Sequence, residues 1–245
     1  MRYLVLADIH ANLPALDAVL ADAQLRGFEQ ILLLGDLVGY GAQPNDVLDR
    51  LAGVPVAAAI RGNHDKVAAG LADADAFNPI AKQCADWTQR TLTPAHADFV
   101  RALPQGPLNT TDWIEICHGS PYDEDAYVLD TLDALNALRA AHRPLCLFGH
   151  THAPVASLFT GGELLYRGTA DGSVLHVMEG STHLVNVGSV GQPRDADPRA
   201  AYGIVDDARR DVSFFRISYD VAAAQRAIRE AGLPDALAKR LALGR

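Results

Sequence analysis

The sequence predicts an α/β fold, a single domain over residues 1–245 that holds two β-sheets. Three observations carry that expectation. Apolar runs alternate with helical patterns through the first 65 residues in the order βαβαβ, the signature of a parallel sheet. From Val155 to Ile217 the pattern changes to short apolar runs parted by Gly161-Gly162, Asp171-Gly172 and Glu179-Gly180, as in antiparallel β structure. No low-complexity linker divides the 245 residues, a length that allows one large domain with a substantial core.

Tyr3 to Ala7 is a short apolar run ending at Asp8, and Asn12 with Pro14 starts a helix through Leu16, Val19, Leu20 and Ala23 that Gly27 closes. Ile31 to Leu34 forms the next strand and leads to Gly35 and Asp36. A helix around Val47, Leu48 and Leu51 stops at Gly53, and Val56 to Ile60 leads to Gly62 and Asn63. Right-handed crossovers line up the carboxyl ends of such strands along one edge, where open α/β sheets bind ligands, so Asp8, Asp36 and Asn63 are expected side by side. Residues 66–103 read as a helical insertion covering one side, with Asn78-Pro79 and Thr93-Pro94 as caps and first-turn prolines. Trp113 to Cys117 returns to strand and delivers His118. A helix follows from about Leu132 to Ala141, and Leu145 to Phe148 delivers Gly149 and His150. The β-rich stretch after Val155 is expected to form the second sheet. From about Asp220 to Leu243 the tail is helical, broken near Gly232 to Pro234.

Composition narrows the function classes. A formal net charge of -9, with 21 scattered Lys and Arg, argues against a surface that coats nucleic acid or binds anionic membrane. An anionic substrate therefore needs a local positive source. Cys84, Cys117 and Cys146 are odd in number and widely spaced, which indicates neither a disulfide framework nor a structural zinc site and fits a reducing cytoplasm. A strand-like run begins within three residues of Met1, so no secretory leader is expected, and no apolar stretch approaches the ~20 residues of a membrane span.

The polar residues at the strand ends are Asp8, His10, Asp36, Asn63, His64, His118, His150 and His152. A lone Asp at a strand end is ordinarily a cap and a lone His ordinarily a core or surface residue, and His96, His142, His176 and His183 are left as such. Together, however, the eight fall at successive strand ends in combinations that bind metal. Seven of them, four imidazoles, two carboxylates and an amide, could hold two divalent ions that share a carboxylate. That donor set suits Mn²⁺, Fe, Zn²⁺, Co²⁺ or Ni²⁺ better than Mg²⁺ or Ca²⁺. Asp8 and His10, like His150 and His152, are two residues apart, so extended backbone would turn each pair to one side for chelation.

These stretches, DIH at 8–10, GDLVG at 35–39, GNHD at 62–65, HG at 118–119 and GHTH at 149–152, resemble the motifs of the calcineurin-like metallophosphoesterase family in kind and order. The resemblance implies a four-layer α-β-β-α sandwich of two mixed sheets flanked by helices. It also implies Asp8, His10 and His152 on a first metal, Asn63, His118 and His150 on a second, and Asp36 bridging both, with manganese the foremost of the candidate metals. His64 is then left as the acid, with Asp65 either its partner or a helix N-cap. GDLVGYG lacks the Asp-Arg pair that follows in the eukaryotic-type serine/threonine protein phosphatases. The chain is more similar to the small prokaryotic phosphodiesterase branch, through GYG, PN and the stretch NVGSVGQPR at 186–194. In that branch this last stretch lies beside the metals, which makes Arg194 a candidate phosphate contact; the alternative is an exposed loop arginine.

Two metals about 3.5 to 4 Å apart can orient a bridging hydroxide for in-line attack on phosphorus, while a histidine protonates the departing alkoxide. The expected activity is hydrolysis of small phosphodiesters, cyclic nucleotides among them. Alternatives are a phosphomonoesterase, including a protein phosphatase or a dinucleoside polyphosphate hydrolase, and a metal-bearing scaffold without turnover. Trp87 and Phe77, with Tyr122 and Tyr127, could offer a base-stacking surface, although such aromatics more commonly pack cores and interfaces.

Overall fold

The computed structural model describes all of residues 1–245. Strands β1 (Arg2–Leu6), β2 (Gln30–Leu33) and β3 (Val56–Ala59) alternate with helices α1 (Leu13–Arg26) and α2 (Pro44–Ala52). Then come α3 (Asn63–Ala68), α4 (Pro79–Thr91), α5 (Pro94–Ala102), β4 (Leu108–Asn109), β5 (Ile114–Ile116), α6 (Thr131–Ala140) and β6 (Leu145–Phe148). The remainder comprises β7 (Val155–Thr160), β8 (Glu163–Arg167), β9 (Val174–His176), β10 (Thr182–Asn186), β11 (Ala200–Asp206), β12 (Asp211–Ile217), α7 (Val221–Glu230) and α8 (Asp235–Leu241). Side chains of Asn12, Asn78 and Thr93 cap α1, α4 and α5 by accepting from the amides of Ala15, Ala81 and His96.

Two six-stranded sheets result, in the orders β3-β2-β1-β11-β12-β9 and β4-β5-β6-β10-β7-β8. Both are mixed: β1, β2 and β3 run parallel while β11 is antiparallel to β1, and β5, β6 and β10 run parallel while β7 is antiparallel to β10. This corrects one expectation: the strands after Val155 do not make a sheet of their own, since β9, β11 and β12 join the first sheet and β7, β8 and β10 join the second. β1 and β6 are apolar on both faces, as central strands are, and each needs a backbone partner on both sides. The late strands supply them, β11 to β1 and β10 to β6.

Alternation along the strands sets the layers. Val5, Ala7, Leu32 and Leu34 point between the sheets, where they meet Ile114, Ile116, Leu145, Leu147 and Val185. Leu4, Leu6, Ile31 and Leu33 point outward and are covered by Leu16, Val19 and Leu20 of α1 and Val47, Leu48 and Leu51 of α2. On the other side Cys146, Phe148 and Leu184 lie under Ala134, Ala137 and Leu138 of α6. The layers are therefore helix, sheet, sheet, helix. A further apolar cluster joins α4, α7 and α8 around Tyr40. No helix is long and apolar enough to cross a membrane.

Candidate metal centre

Both sheets deliver polar side chains to one end of the sandwich. Asp8 and His10 follow β1, Asp36 follows β2, and Asn63 and His64 open α3 after β3. His118 follows β5, and His150 and His152 follow β6. The ligand candidates thus straddle the two sheets and do not line the edge of one. Nor is their backbone extended: Asp8, His10, Asp36, His150 and His152 have φ of 53°, 49°, 52°, 66° and 59°. Left-handed backbone at so many non-glycine residues in one site costs of order 1–3 kcal/mol each and marks a place held by its surroundings. Main-chain bonds from Asp8 to Gly35 O (3.1 Å) and from His10 to Asp36 O (2.9 Å) help hold it.

Each carboxylate is pinned by one oxygen. The His150 amide donates to Asp8 Oδ1 at 3.0 Å, and the His64 amide donates to Asp36 Oδ1 at 2.9 Å. The second oxygens, Asp8 Oδ2 and Asp36 Oδ2, are buried without a hydrogen-bond donor. The imidazoles are pinned in the same manner. Nδ1 of His10, His118 and His152 donates to the carbonyls of Val38, Leu34 and Gln192 at 3.2, 2.8 and 2.6 Å, and Nε2 of His150 donates to the Asp125 carbonyl at 3.1 Å. Those bonds fix the orientation of each ring and, in the neutral rings, leave the opposite nitrogen with a lone pair.

Ligand atoms of Asp8, His10, Asp36 and His152 gather within 4.8 Å of one another, and so do those of Asp36, His118 and His150. Asp36 belongs to both groups. Asn63 Oδ1 lies 3.2 Å from His118 Nε2. A divalent cation fits this arrangement on two grounds. Buried carboxylate oxygens without donors are costly unless a positive charge meets them. The Nε2 atoms of His10 and His152 face each other at 3.1 Å, although both Nδ1 atoms already carry their protons, and a shared cation turns that lone-pair repulsion into attraction.

Electrostatics follow from burial. It lowers His10 and His152 well below the usual histidine range and takes His150 to about 3, so these rings are neutral and ready to coordinate. Against the same penalty, Asp36 raises His118 to about 10. Burial also opposes the charge of Asp36, but His118 and His64 hold its carboxyl well below the carboxylate range. In the absence of metal, Asp36 and His118 form the ion pair at the centre, 3.4 Å apart.

His64 packs among rings, 4.3 Å from Tyr40, 4.6 Å from Phe77 and 5.0 Å from His10. Its Nδ1 has no partner and lies against Gly39, where a Cβ would approach it to 2.6 Å. Burial lowers it to about 4, so the ring is neutral at neutral pH. Asp65 does not orient it. One carboxylate oxygen of Asp65 accepts from Gly62 N at 3.0 Å and the other from Val38 N at 3.1 Å, which is the capping role, extended to the loop after β2. Gly62 is required by proximity, since a Cβ there would lie 2.2 Å from Asp36 Oδ1.

Arg194 is half-buried beside this group. Its Nη2 donates to Gln192 Oε1 at 3.2 Å, its Nε has no partner, and its guanidinium lies 5.8 Å from the centre of the Tyr40 ring. Sequence reasoning missed what the preceding residues do. Ser189 Oγ donates to Asp8 O at 2.8 Å, Asn186 Nδ2 donates to Gly149 O at 2.7 Å, and Arg194 N donates to His152 O at 3.2 Å. The 186–194 stretch thereby ties the two His-bearing turns together. Its signal was a run of Asn, Gly and Ser directly after an apolar strand, which is turn chemistry with no hairpin partner.

Comparisons with known proteins agree with this architecture. A family model described as the calcineurin-like phosphoesterase superfamily domain matches residues 1–209. A metallophosphoesterase from Sphaerobacter thermophilus superposes with a TM-score of 0.87 at 36% identity, covering 100% of this chain and 99% of that one. The uncharacterized protein MJ0912 of Methanocaldococcus jannaschii is 32% identical over 243 residues, 98% of this chain and 97% of the relative. Phosphodiesterase YfcE of Escherichia coli is 26% identical over 216 residues, 84% of this chain and 88% of the relative.

Proposed function

The chain belongs to the calcineurin-like phosphoesterase superfamily, and on that premise we propose that it hydrolyses small phosphodiesters, cyclic nucleotides among them, with two divalent transition metals, manganese foremost. The observation that carries the reading is the pair of buried carboxylates, each pinned through Oδ1 and without a hydrogen bond at Oδ2, in two ligand groups that share Asp36. Asp8, His10 and His152 would hold the first ion, Asn63, His118 and His150 the second, and Asp36 both. Bound there, the ions supply a water activated for attack on phosphorus and neutralise phosphoryl oxygens.

The chain's own residues do the rest. His64 is the group we assign to protonate the leaving oxygen, from the edge of its ring away from Gly39; burial keeps the free ring neutral, so its protonated form is the one that binding of the anionic substrate favours. Its position is fixed by the bond from its amide to Asp36 and by the rings of Tyr40 and Phe77. Arg194, tied to the His152 turn by the bond from its amide to His152 O, is a contact for phosphate oxygens. A cleft of about 360 Å³ opens from Asn63 and His150 between Phe77 and Tyr127 and would receive the leaving group. Tyr127 stacks on His150 at 3.8 Å. Trp87 packs in the α4–α7–α8 cluster and Tyr122 is exposed, so neither joins that wall.

Preference for a diester is supported by the resemblance to phosphodiesterase YfcE. All three cysteines are free buried thiols, as a reducing compartment allows, and we assign the protein to the cytoplasm. The test is a substrate panel on protein loaded with Mn²⁺, Ni²⁺, Co²⁺ or Zn²⁺: bis-p-nitrophenyl phosphate, p-nitrophenyl phosphate, 2′,3′- and 3′,5′-cyclic nucleotides, and a phosphopeptide. Diesters should turn over faster than monoesters. Faster release from p-nitrophenyl phosphate would make it a monoesterase, and no turnover with any metal would leave a scaffold.

A further inference from the structure

The C-terminal helices bring a second arginine to the metal centre. Ile228 of α7 and Leu237 and Leu241 of α8 pack with Cys84 of α4 around Tyr40. That docking sets the Arg240 guanidinium 5.9 Å from the centre of the Tyr40 ring, and Arg194 lies 5.8 Å from the same centre. Tyr40 in turn touches His10 and His64, at 4.8 and 4.3 Å between ring centres. Its own φ is 57°, so the ring is held in place by left-handed backbone. Both guanidiniums are thus one aromatic ring away from the candidate ligands.

Neither arginine has an acidic side chain within ion-pair distance, whereas Arg61 and Lys66 on the other flank are both consumed by Glu124. Arg240 Nε donates to the main-chain oxygen of Arg245, and its two Nη groups donate to nothing. Arg194 Nε is buried and equally without an acceptor. Burial and then Arg194 lower the pKa of Arg240, so each cation raises the cost of the other. Two half-buried guanidiniums that repel each other and have no acidic side chain beside them are stabilised by an anion, for which their planar forks suit phosphate. Arg240 lines a cleft of about 580 Å³ with Tyr40, Asn78, Ile80 and Leu237 that can admit one.

We propose that Arg240 forms a subsite for a second phosphate, next to the one that Arg194 would contact, so that the preferred substrates are phosphodiesters carrying a further phosphate group away from the scissile one. This rests on the phosphodiesterase reading above and names the substrate class that reading leaves open. Arg240 is then a specificity residue, set on the last helix of the chain.

Thymidine 5′-(p-nitrophenyl phosphate) and its 3′-phosphorylated form share leaving group and nucleoside and differ only in the added phosphate. With Mn²⁺-loaded protein, kcat/KM should be about tenfold or more higher for the 3′-phosphorylated ester, the size of one charge-assisted hydrogen bond. Arg240→Gln should bring that ratio toward one, and Arg240→Lys, which keeps the charge, should retain part of it. A ratio near one in the wild type, or an unchanged ratio in Arg240→Gln with unaltered melting, overturns the proposal. If neither ester is hydrolysed, the phosphodiesterase reading fails, and calorimetry decides the subsite separately. Thymidine 3′,5′-bisphosphate should bind about tenfold tighter than thymidine 5′-monophosphate and lose that advantage in Arg240→Gln; equal binding of the two nucleotides overturns the subsite.

Discussion

The main-chain N–H of His64 donates to Oδ1 of Asp36 at 2.9 Å, so the proposed acid and the proposed bridging carboxylate are parts of one hydrogen-bonded unit. Asp36→Asn keeps an acceptor for that amide but replaces the bare anionic oxygen with a neutral group. Metal content measured by plasma mass spectrometry should fall at both sites. Turnover should fall by more than the roughly 10–100-fold typical of outer-shell partners. Retention of two metal equivalents by Asp36→Asn would remove Asp36 as the bridge.

His64→Ala should keep both metals and lose about 10²–10⁴ in turnover of esters with poor leaving groups, with smaller losses for p-nitrophenyl esters. Gly39→Ala provides an independent route to the same phenotype. Its φ is +89°, and the added methyl would meet His64 Nδ1 at 2.6 Å, so the ring must move. A leaving-group series on both variants is the measurement. Equal losses across the series in His64→Ala would argue against proton donation.

Asp65 holds two buried amides, and its loss should be felt in stability before chemistry. Asp65→Ala leaves Gly62 N and Val38 N without their acceptor, which should cost about 1–3 kcal/mol in urea unfolding. The dependence of rate on leaving group should keep its slope in the remaining folded protein. A changed slope at unchanged stability would restore the orienting role.

His183 supplies a pH dependence away from the metals. It lies in β10 between β6 and β7, fully buried, with neither ring nitrogen partnered, and burial lowers its pKa from the ordinary 6.5. The unfolded chain takes up this proton more readily than the folded one, so stability is lost as pH falls from about 6.5 toward the lowered folded value. Urea midpoints of wild type and His183→Leu, taken between about pH 5 and 8, should converge or cross toward pH 8 and separate in acid, with the variant the more stable below about 6.5. Parallel curves would show that His183 contributes nothing to the slope.

Much of the fold was readable in the chain because its signals are local. Apolar runs of four or five residues gave β1, β2 and β6, and Asn12, Asn78 and Thr93 announced their helices as capping residues beside prolines. The polar residues at strand ends were readable for the same reason. What escaped was set by distance or by backbone. Nothing in Ala200–Asp206 says that it pairs with Arg2–Leu6, nor in Thr182–Asn186 that it pairs with Leu145–Phe148, because both pairings are decided by which central strand still lacks a neighbour. Spacing suggested extended backbone at DIH and GHTH, but Asp and His tolerate left-handed backbone better than most residues, and the neighbouring loops impose it. Tyr40 and Arg240 stand 200 positions apart in the sequence, and only the docking of α8 on α4 makes them neighbours.

The interleaving of late and early strands bears on when the site can exist during synthesis. A ribosome that has released residues 1–152 has delivered all seven candidate ligands, yet β1 still lacks β11 and β6 still lacks β10. Until Asp206 emerges, the turns bearing Asp8 and His150 have no completed sheet beneath them and no 186–194 stretch to tie them. Metal loading should therefore be a post-translational event, and a fragment ending at residue 152 should neither fold cooperatively nor retain metal through gel filtration. Between residues 152 and 206 the nascent chain carries its full set of candidate ligands without the strands that would hold them.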